Sequence, residues 1–333
     1  MKVALVGAGG IGKTWARALV GDAALQVSVV VDTNERAAKE RANELGCAYV
    51  TDWHEALMHN IDAAIIAVPH VNLAPISEDF LEAGKHVLCE KPGGISSQEV
   101  SENVNLAKKK GLVYMPGFNH RYHAGYLEAK KRFDAGEIGE LMFIRARYGF
   151  GGRKEYEKEW RFKKAIAGGG ELLDQGIHMI DMIRLYLGDV KDVKGFAENM
   201  FWGGEVEDNG FVLLRSAAHK VAQIHVSWTN WEWVHNFEIF GTKGYLTIDG
   251  LDSRYRGPER LTIGHADPRS GEFPKEEVIN YDKETKDDSF RREAEDFALA
   301  IHSTLSRRRL DNVPRGEDAV AALEIIEKIY AQK

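Results

Sequence analysis

Residues 7–14 read Gly-Ala-Gly-Gly-Ile-Gly-Lys-Thr and satisfy two phosphate-binding patterns at once. As G-x-x-x-x-G-K-[ST], residues Gly7, Gly12, Lys13 and Thr14 spell a P-loop, which implies a nucleoside triphosphate and Mg²⁺. As G-x-G-x-x-G, residues Gly7, Gly9 and Gly12 spell the turn of a dinucleotide-binding fold. Both patterns follow an apolar strand, here residues 2–6, and both open a helix whose first N–H groups attract phosphate. The choice falls to the next strand. Residues 26–31 are largely β-branched and end on Asp32, about twenty residues beyond Gly12, where a dinucleotide fold places the carboxylate that binds the ribose hydroxyls. A P-loop enzyme needs an apolar strand ending on a Mg²⁺-binding Asp, whereas residues 63–68 run into Pro69 and His70. The dinucleotide reading therefore wins, with Lys13 and Thr14 as ordinary surface positions of the first helical turn.

The 333 residues suffice for two domains with separate cores. The net charge of −7 argues against a nucleic-acid partner, which favours a basic excess. Cys47 and Cys89 are too few for a disulfide framework or a zinc site, and no metal is expected. The apolar run after Lys2 meets the glycine turn too early for a leader, and no stretch reaches the ~20 apolar residues that span a bilayer. The expectation is a cytoplasmic protein without a membrane partner.

Up to residue 120 strands and helices alternate. Strands are predicted at 2–6, 26–32, 48–50, 62–68, 85–89 and 112–117, and helices at 11–21, 34–46, 52–58, 73–83 and 97–110. Near-continuous apolar strands such as 63–68 imply burial on both faces, hence a parallel sheet covered by helices. Beyond 120 the pattern changes to strands at hairpin spacing: 141–149, 191–199, 209–216, 220–228, 234–241 and 244–249. Helices are predicted at 123–135, 171–187, 290–305 and 316–332, and the charged stretch 252–288 reads as an extended excursion with weak structure. The fold class is α/β: a Rossmann domain over 1–120, then an α+β domain over 121–333 with a large, mostly antiparallel sheet. The C-terminal helices have the option of packing back on the first domain. Trp202, Trp228, Trp231 and Trp233 lie on or beside this sheet, whose helices are too few to cover both faces, so a homo-oligomer, dimer or tetramer, is expected through it.

Two constellations carry candidate chemistry. The fifth strand ends on Glu90-Lys91-Pro92, at the carboxyl edge where open α/β sheets bind ligands. Pro92 restricts Lys91 to extended geometry and permits a cis bond, aiming the ammonium; the competing reading is a surface ion pair. Further on, Gly168-Gly169-Gly170 precede a helix on which Asp174 and His178 are spaced i,i+4, with Asp181 near the same face. A histidine beside a carboxylate is a common acid/base pair, but a structural histidine or a metal site is also consistent with this spacing.

Taken together, the glycine turn, Asp32, residues 84–92 with their Glu-Lys-Pro triplet, Gly117-Phe-Asn-His-Arg121, Trp160-Arg161, and the segment 168–181 with Asp-x-x-x-His resemble the glucose–fructose oxidoreductase, inositol dehydrogenase and rhizopine-catabolism (Gfo/Idh/MocA) family over the whole chain. The resemblance implies NAD(P)-dependent hydride transfer at a hydroxyl-bearing carbon of a sugar, cyclitol or sugar derivative, phosphate- or nucleotide-linked forms included. It implies Lys91, Asp174 and His178 as catalytic residues. Cofactor contacts then fall on Gly7, Gly9, Gly10, Ile11, Gly12, Asp32, Val68, Pro69, Glu90, Lys91 and Asn119. Substrate contacts fall on Lys91, Arg121, Tyr148, Trp160, Arg161, Asp174 and His178. Asp32 favours NAD over NADP, because a carboxylate repels a 2′-phosphate. One departure is at Pro69-His70-Val71-Asn72-Leu73, where leucine stands in place of the histidine common among relatives. Two other readings stay open: a redox-neutral NAD-dependent glycosidase, and a non-catalytic sugar or NAD sensor, against which the intact Lys91, Asp174 and His178 argue. The segment 148–160, aromatic, glycine-rich and basic, reads either as a lid or as a solvated mixed-charge face.

Overall fold

The computed structural model describes residues 1–22, 24–251, 255, 257–267, 269–281, 288–303 and 312–332. The chain divides into two compact units: residues 1–119, 165–168 and 288–323, and residues 120–164, 169–287 and 324–333.

In the first unit strands and helices alternate: β1 (Lys2–Val6), α1 (Gly10–Leu19), β2 (Gln26–Val31), α2 (Glu35–Leu45), β3 (Ala48–Val50), α3 (Trp53–Ala56), β4 (Ala63–Ile66), α4 (His70–Glu82), β5 (His86–Glu90), α5 (Ser97–Lys110) and β6 (Tyr114–Gly117). The sheet runs β3-β2-β1-β4-β5-β6 with every neighbouring pair parallel. β4 is buried along its whole length, as its unbroken apolar run demands of a strand covered on both faces. Side chains set the helix boundaries. Asn34 accepts the N–H of Ala37 at the start of α2, Ser96 accepts that of Glu99 at the start of α5, and both helices stop at a left-handed glycine, Gly46 and Gly111. α4 starts three residues before the expected 73, because Pro69, with φ −57°, is preset for a helix start and lets His70 be the first helical residue. The order of strands reverses between β1 and β4, so the crevice at their carboxyl ends is the switch point where such sheets take ligands.

The second unit holds α6 (Ala124–Asp134), β7 (Leu141–Gly149), α8 (Glu171–Asp174), α9 (Gly176–Leu187), β8 (Val190–Glu198), β9 (Asn209–Ser216), β10 (Val221–Ser227), β11 (Val234–Gly241), β12 (Gly244–Asp249), β13 (Glu259–His265) and β14 (Lys275–Tyr281). Its eight strands run β14-β13-β12-β11-β7-β10-β9-β8, antiparallel except for the β7–β10 pair. Alternation of buried and exposed residues along β9 from Gly210 onward gives the sheet one packed face, against which α6, α8 and α9 lie. The other face presents Phe196, Leu213, Val221 and Met142, all at least 40% exposed. The chain also forms α7 (Lys164–Ala167), α10 (Ser289–Ser303) and α11 (Gly316–Tyr330). In the first unit, Phe290 at the start of α10 meets Trp15 of α1 edge-on at 5.0 Å.

Three expectations need correction. The stretch 252–288 is no mere excursion, since β13 and β14 extend the sheet within it; residues 252–254, 256, 268 and 282–287, like the end of the helix expected over 290–305, lie outside the described residues. The helix over 171–187 is two helices, interrupted at Gln175 (φ −109°, ψ −33°). The tryptophans do not pave the open sheet face. Trp228 is fully buried in a cluster with Phe150, Tyr156, Phe162 and Val206, and Trp202 and Trp233 pack against it; of the four, Trp231 is the one largely exposed. No helix among the described residues is long and apolar enough to cross a membrane.

Candidate active site

The glycine turn has the geometry that a dinucleotide needs. A Cβ on Gly7 (φ +101°) would sit 2.1 Å from the Ala67 carbonyl oxygen, and one on Gly12 would sit 1.9 Å from that of Gly7, so neither position admits a side chain. The loop is thereby folded tightly against the end of β4, close to Val68. Gly9 and Gly10 are exposed, and a Cβ on either would meet nothing within 4 Å. Gly9 brings no capping side chain to α1, and Ile11 is exposed beside it, so the helix N-terminus faces open space as a phosphate site requires. Asp32, just past β2, accepts the Ala8 N–H through Oδ2 at 2.7 Å and the Asn34 N–H through Oδ1 at 2.8 Å. The first bond ties the carboxylate to the glycine turn and the second to the start of α2, and each oxygen keeps a second acceptor site for a ribose hydroxyl. Thr14 donates its hydroxyl back to the Gly10 carbonyl at 3.3 Å, a helical back-bond that disfavours the P-loop role of metal ligand. The residues present thus fit a dinucleotide.

At the end of β5, Glu90 is buried and accepts the Trp15 indole N–H at 2.8 Å, which fastens this strand end to α1. A Cβ on Gly117 would come within 3.3 Å of the Glu90 carboxylate, so β6 passes close beneath it. Lys91 follows, half-buried, with a cis peptide to Pro92. Cys89 is buried and its thiol is pushed up to about 12, chiefly by loss of solvent. Asn119, after β6, donates to the Ser289 hydroxyl at 3.3 Å. His70 is buried and pairs through Nδ1 with the Ala167 carbonyl at 2.8 Å.

In the second unit Asp174 is the last residue of α8 and His178 the third of α9, both buried. The interruption at Gln175 separates them, so they do not stack on one continuous helix as i,i+4 spacing suggests. Asp174 Oδ2 accepts Arg161 Nε at 3.0 Å, while the Arg161 guanidinium lies 4.7 Å from the Trp160 ring. Arg161 is thus a fixed donor that orients the Asp174 carboxylate. Arg121 is buried and forks onto Asp181, Nε to Oδ2 at 2.8 Å and Nη2 to Oδ1 at 2.5 Å. That fork gives Arg121 a structural partner, and it gives Asp181 one other than the His178 imidazole. Tyr148 is buried in β7 with its ring 5.4 Å from His120 and 5.2 Å from His235.

One residue escaped the sequence reading. His120 is buried with its ring on that of His178, centroids 3.9 Å apart and planes 30° apart. Residues 148–153 also differ from an open lid. Phe150 belongs to the buried aromatic cluster, and a Cβ on Gly149 would strike the Ser227 carbonyl at 2.2 Å. Arg153 pairs with Glu159 and lies over Tyr156. Among the described residues no group of three or more His, Cys, Asp or Glu is placed to hold a metal ion.

Known families account for most of the chain. Residues 1–118 match the oxidoreductase family with an NAD-binding Rossmann fold, and residues 126–247 match the GFO/IDH/MocA C-terminal domain. The chain belongs to the Gfo/Idh/MocA oxidoreductase family. Inositol 2-dehydrogenase of Rhizobium meliloti is 27% identical over 336 residues, covering 98% of this chain and 95% of that one. Levoglucosan dehydrogenase of Pseudarthrobacter phenanthrenivorans is 29% identical over 290 residues, covering 75% of this chain and 73% of the relative. A solved structure of a levoglucosan dehydrogenase in complex with NADH superposes with a TM-score of 0.86 at 24% identity, covering 100% of this chain and 97% of that one, and shows the shared fold.

Proposed function

We propose that this family member is an NAD(P)-dependent oxidoreductase acting on a hydroxyl-bearing carbon of a sugar, cyclitol or sugar derivative. The observation that carries the reading is the glycine turn locked against β4 and tied to Asp32, because it leaves an exposed helix N-terminus for phosphate beside an anchored carboxylate for ribose. Related enzymes named for inositol, levoglucosan and nucleotide-linked deoxysugars support the substrate class. Gly7, Gly9, Gly10, Ile11, Gly12 and Asp32 would hold the dinucleotide, with Val68, Pro69, Glu90, Lys91 and Asn119 around its nicotinamide end. Asp32 favours NAD.

When bound, the nicotinamide supplies the hydride acceptor or donor. Everything else falls to the chain. Oxidising a hydroxyl to a carbonyl releases a proton from oxygen, and Lys91 Nζ and the His178 imidazole are the groups assigned to carry it. Asp174, its carboxylate fixed by Arg161 Nε, is assigned to a neighbouring substrate hydroxyl, with Trp160 and Tyr148 supplying aromatic faces for sugar C–H groups. Arg121 is assigned to the frame that carries His178, through its fork with Asp181 in the same helix.

The reading is tested by mixing the protein with NAD⁺ and a panel of free cyclitols, anhydrosugars and nucleotide-linked sugars, and following NADH fluorescence. Net NADH formation supports a dehydrogenase; hydrolysis of a glycosidic bond, with release of the aglycone and without net NADH, would instead make it redox-neutral. A second copy of this chain is proposed to cover the open face of the second unit's sheet, where Phe196, Leu213 and Val221 are exposed, and light scattering at micromolar concentration tests it. The proposed compartment is the cytoplasm.

A further inference from the structure

The short segment Glu205-Val206-Glu207-Asp208 lies in none of the motifs discussed so far, yet its three carboxylates all accept main-chain N–H groups from other segments of the second unit. Glu205 takes the Lys164 N–H at 2.8 Å. Asp208 takes those of Met200, Phe201 and Trp202 at 2.8, 2.8 and 2.9 Å, turning that loop back on itself, while its carbonyl accepts the Trp228 N–H at 2.8 Å. Glu207 goes to the segment that carries the assigned catalytic groups. Its Oε1 accepts the N–H of Gly170 at 3.0 Å and of Leu172 at 3.2 Å, and its carbonyl accepts that of Glu171 at 3.1 Å. The Tyr330 hydroxyl donates to the same Oε1 at 2.6 Å.

The first N–H groups of a helix have no partner within it, and Gly170, which precedes α8, offers no side chain to cap them. Glu207 supplies from across the unit the cap that a local Ser or Asp would normally give. The approach is close enough to dictate sequence. A Cβ on Gly170 would sit 1.8 Å from the Glu207 carbonyl oxygen, and one on Gly169 would sit 2.2 Å from the Tyr330 hydroxyl. These two glycines therefore give the clearance that the Glu207 carbonyl and the Tyr330 hydroxyl need to approach the start of α8. Glu207 is 4% exposed, so these bonds are shielded from solvent and fix the start of α8 in one place.

We propose that Glu207, braced by Tyr330, is a positioning residue for the reaction, setting the place of α8 and hence of Asp174 at its end and His178 just beyond. The proposal rests on the assignment of Asp174 and His178 to the substrate. Its test uses the full chain with Glu207→Ala, Glu207→Gln and Tyr330→Phe. Hydrogen–deuterium exchange is read on peptides covering 169–178 and 2–12, alongside NADH titration and initial rates with NAD⁺ and myo-inositol or levoglucosan. In Glu207→Ala the 169–178 peptides should exchange faster while 2–12 is unchanged, and kcat should fall by about 10- to 100-fold with the KM for NAD⁺ within about twofold, as a small misplacement of reacting groups produces. Glu207→Gln should recover most of the loss, because its amide oxygen still accepts both N–H groups. Tyr330→Phe should fall between. Wild-type exchange at 169–178 in Glu207→Ala, or loss of folded protein with kcat per folded molecule unchanged, overturns the proposal. Should Glu207→Ala fail to fold, wild-type exchange and turnover in Tyr330→Phe overturn it equally. If the wild type turns over neither probe, the exchange measurement still decides the clamp, and the failure belongs to the functional reading instead.

Discussion

Replacing Arg121 by methionine should destabilise the second unit by about 3–5 kcal/mol, the usual cost of stripping one partner from a buried ion pair. The size follows from the setting. Asp181 is 1% exposed and Arg121 5%, and the two are joined by a fork of two charge-assisted bonds at 2.8 and 2.5 Å. Methionine fills much of the arginine's volume, so a cavity is a minor part of the loss and the removed charge-assisted fork to the buried Asp181 the major one. Asp181→Leu alone should cost a comparable amount, whereas the double variant Arg121→Met with Asp181→Leu should return to within about 1–2 kcal/mol of wild type, since an apolar pair carries no desolvated charge. Urea unfolding followed by tryptophan fluorescence suits the measurement, because Trp202, Trp228 and Trp233 cluster within this unit. Single variants as stable as wild type, with a raised KM for substrate, would refute the structural role and make Arg121 a substrate contact.

Three further outcomes are expected. Lys91→Ala and His178→Ala should each lower kcat by about 10²–10⁴ while NADH titration stays near wild type, and the double variant should be little worse than either single, because groups on one proton path are not additive. Asp32→Ala should weaken NAD binding by roughly 1.5–3 kcal/mol and narrow the preference over NADP, as measured by titration of both cofactors. Burial holds the His86 imidazole below its ordinary value of 6.5, against the pull of Asp62, and its Nδ1 accepts the Val113 N–H at 2.9 Å. The unfolded chain therefore binds this proton more readily, so stability present above pH 6.5 is lost as the pH falls through the folded value, and thermal melts of His86→Gln should show a shallower acid slope.

The first unit was legible because its signals are local. A phosphate turn needs glycine where backbones cross, an acid must end β2, and buried parallel strands read as unbroken apolar runs. The sheet of the second unit was legible where strands alternate, as in β9, and illegible where they do not. β14 reads Lys-Glu-Glu-Val-Ile-Asn-Tyr and is almost wholly exposed at the sheet edge, so it carries no burial pattern. The break at Gln175 has no proline or glycine at the residue itself, and it shows in the folded backbone, where Gln175 closes α8 and Gly176 opens α9. Partnerships across the chain were out of reach. Arg121 meets Asp181 from 60 residues away and Glu207 meets Tyr330 from 123, and a single sequence does not say which distant charge faces which. His120 lay in plain view within the Gly117–Arg121 motif, but its place on the ring of His178 is a fact of folding.

The central claim, that the glycine turn serves a dinucleotide in a working sugar or cyclitol oxidoreductase, meets its most direct test in a single time course. Wild type and Lys91→Ala are mixed with NAD⁺ and the panel of cyclitols, anhydrosugars and nucleotide-linked sugars, and NADH fluorescence is followed. The account predicts NADH formation by the wild type with at least one member, and a rate lower by about 10²–10⁴ in Lys91→Ala. No binding of NADH or NADPH, together with ATP hydrolysis that depends on Lys13, would contradict it.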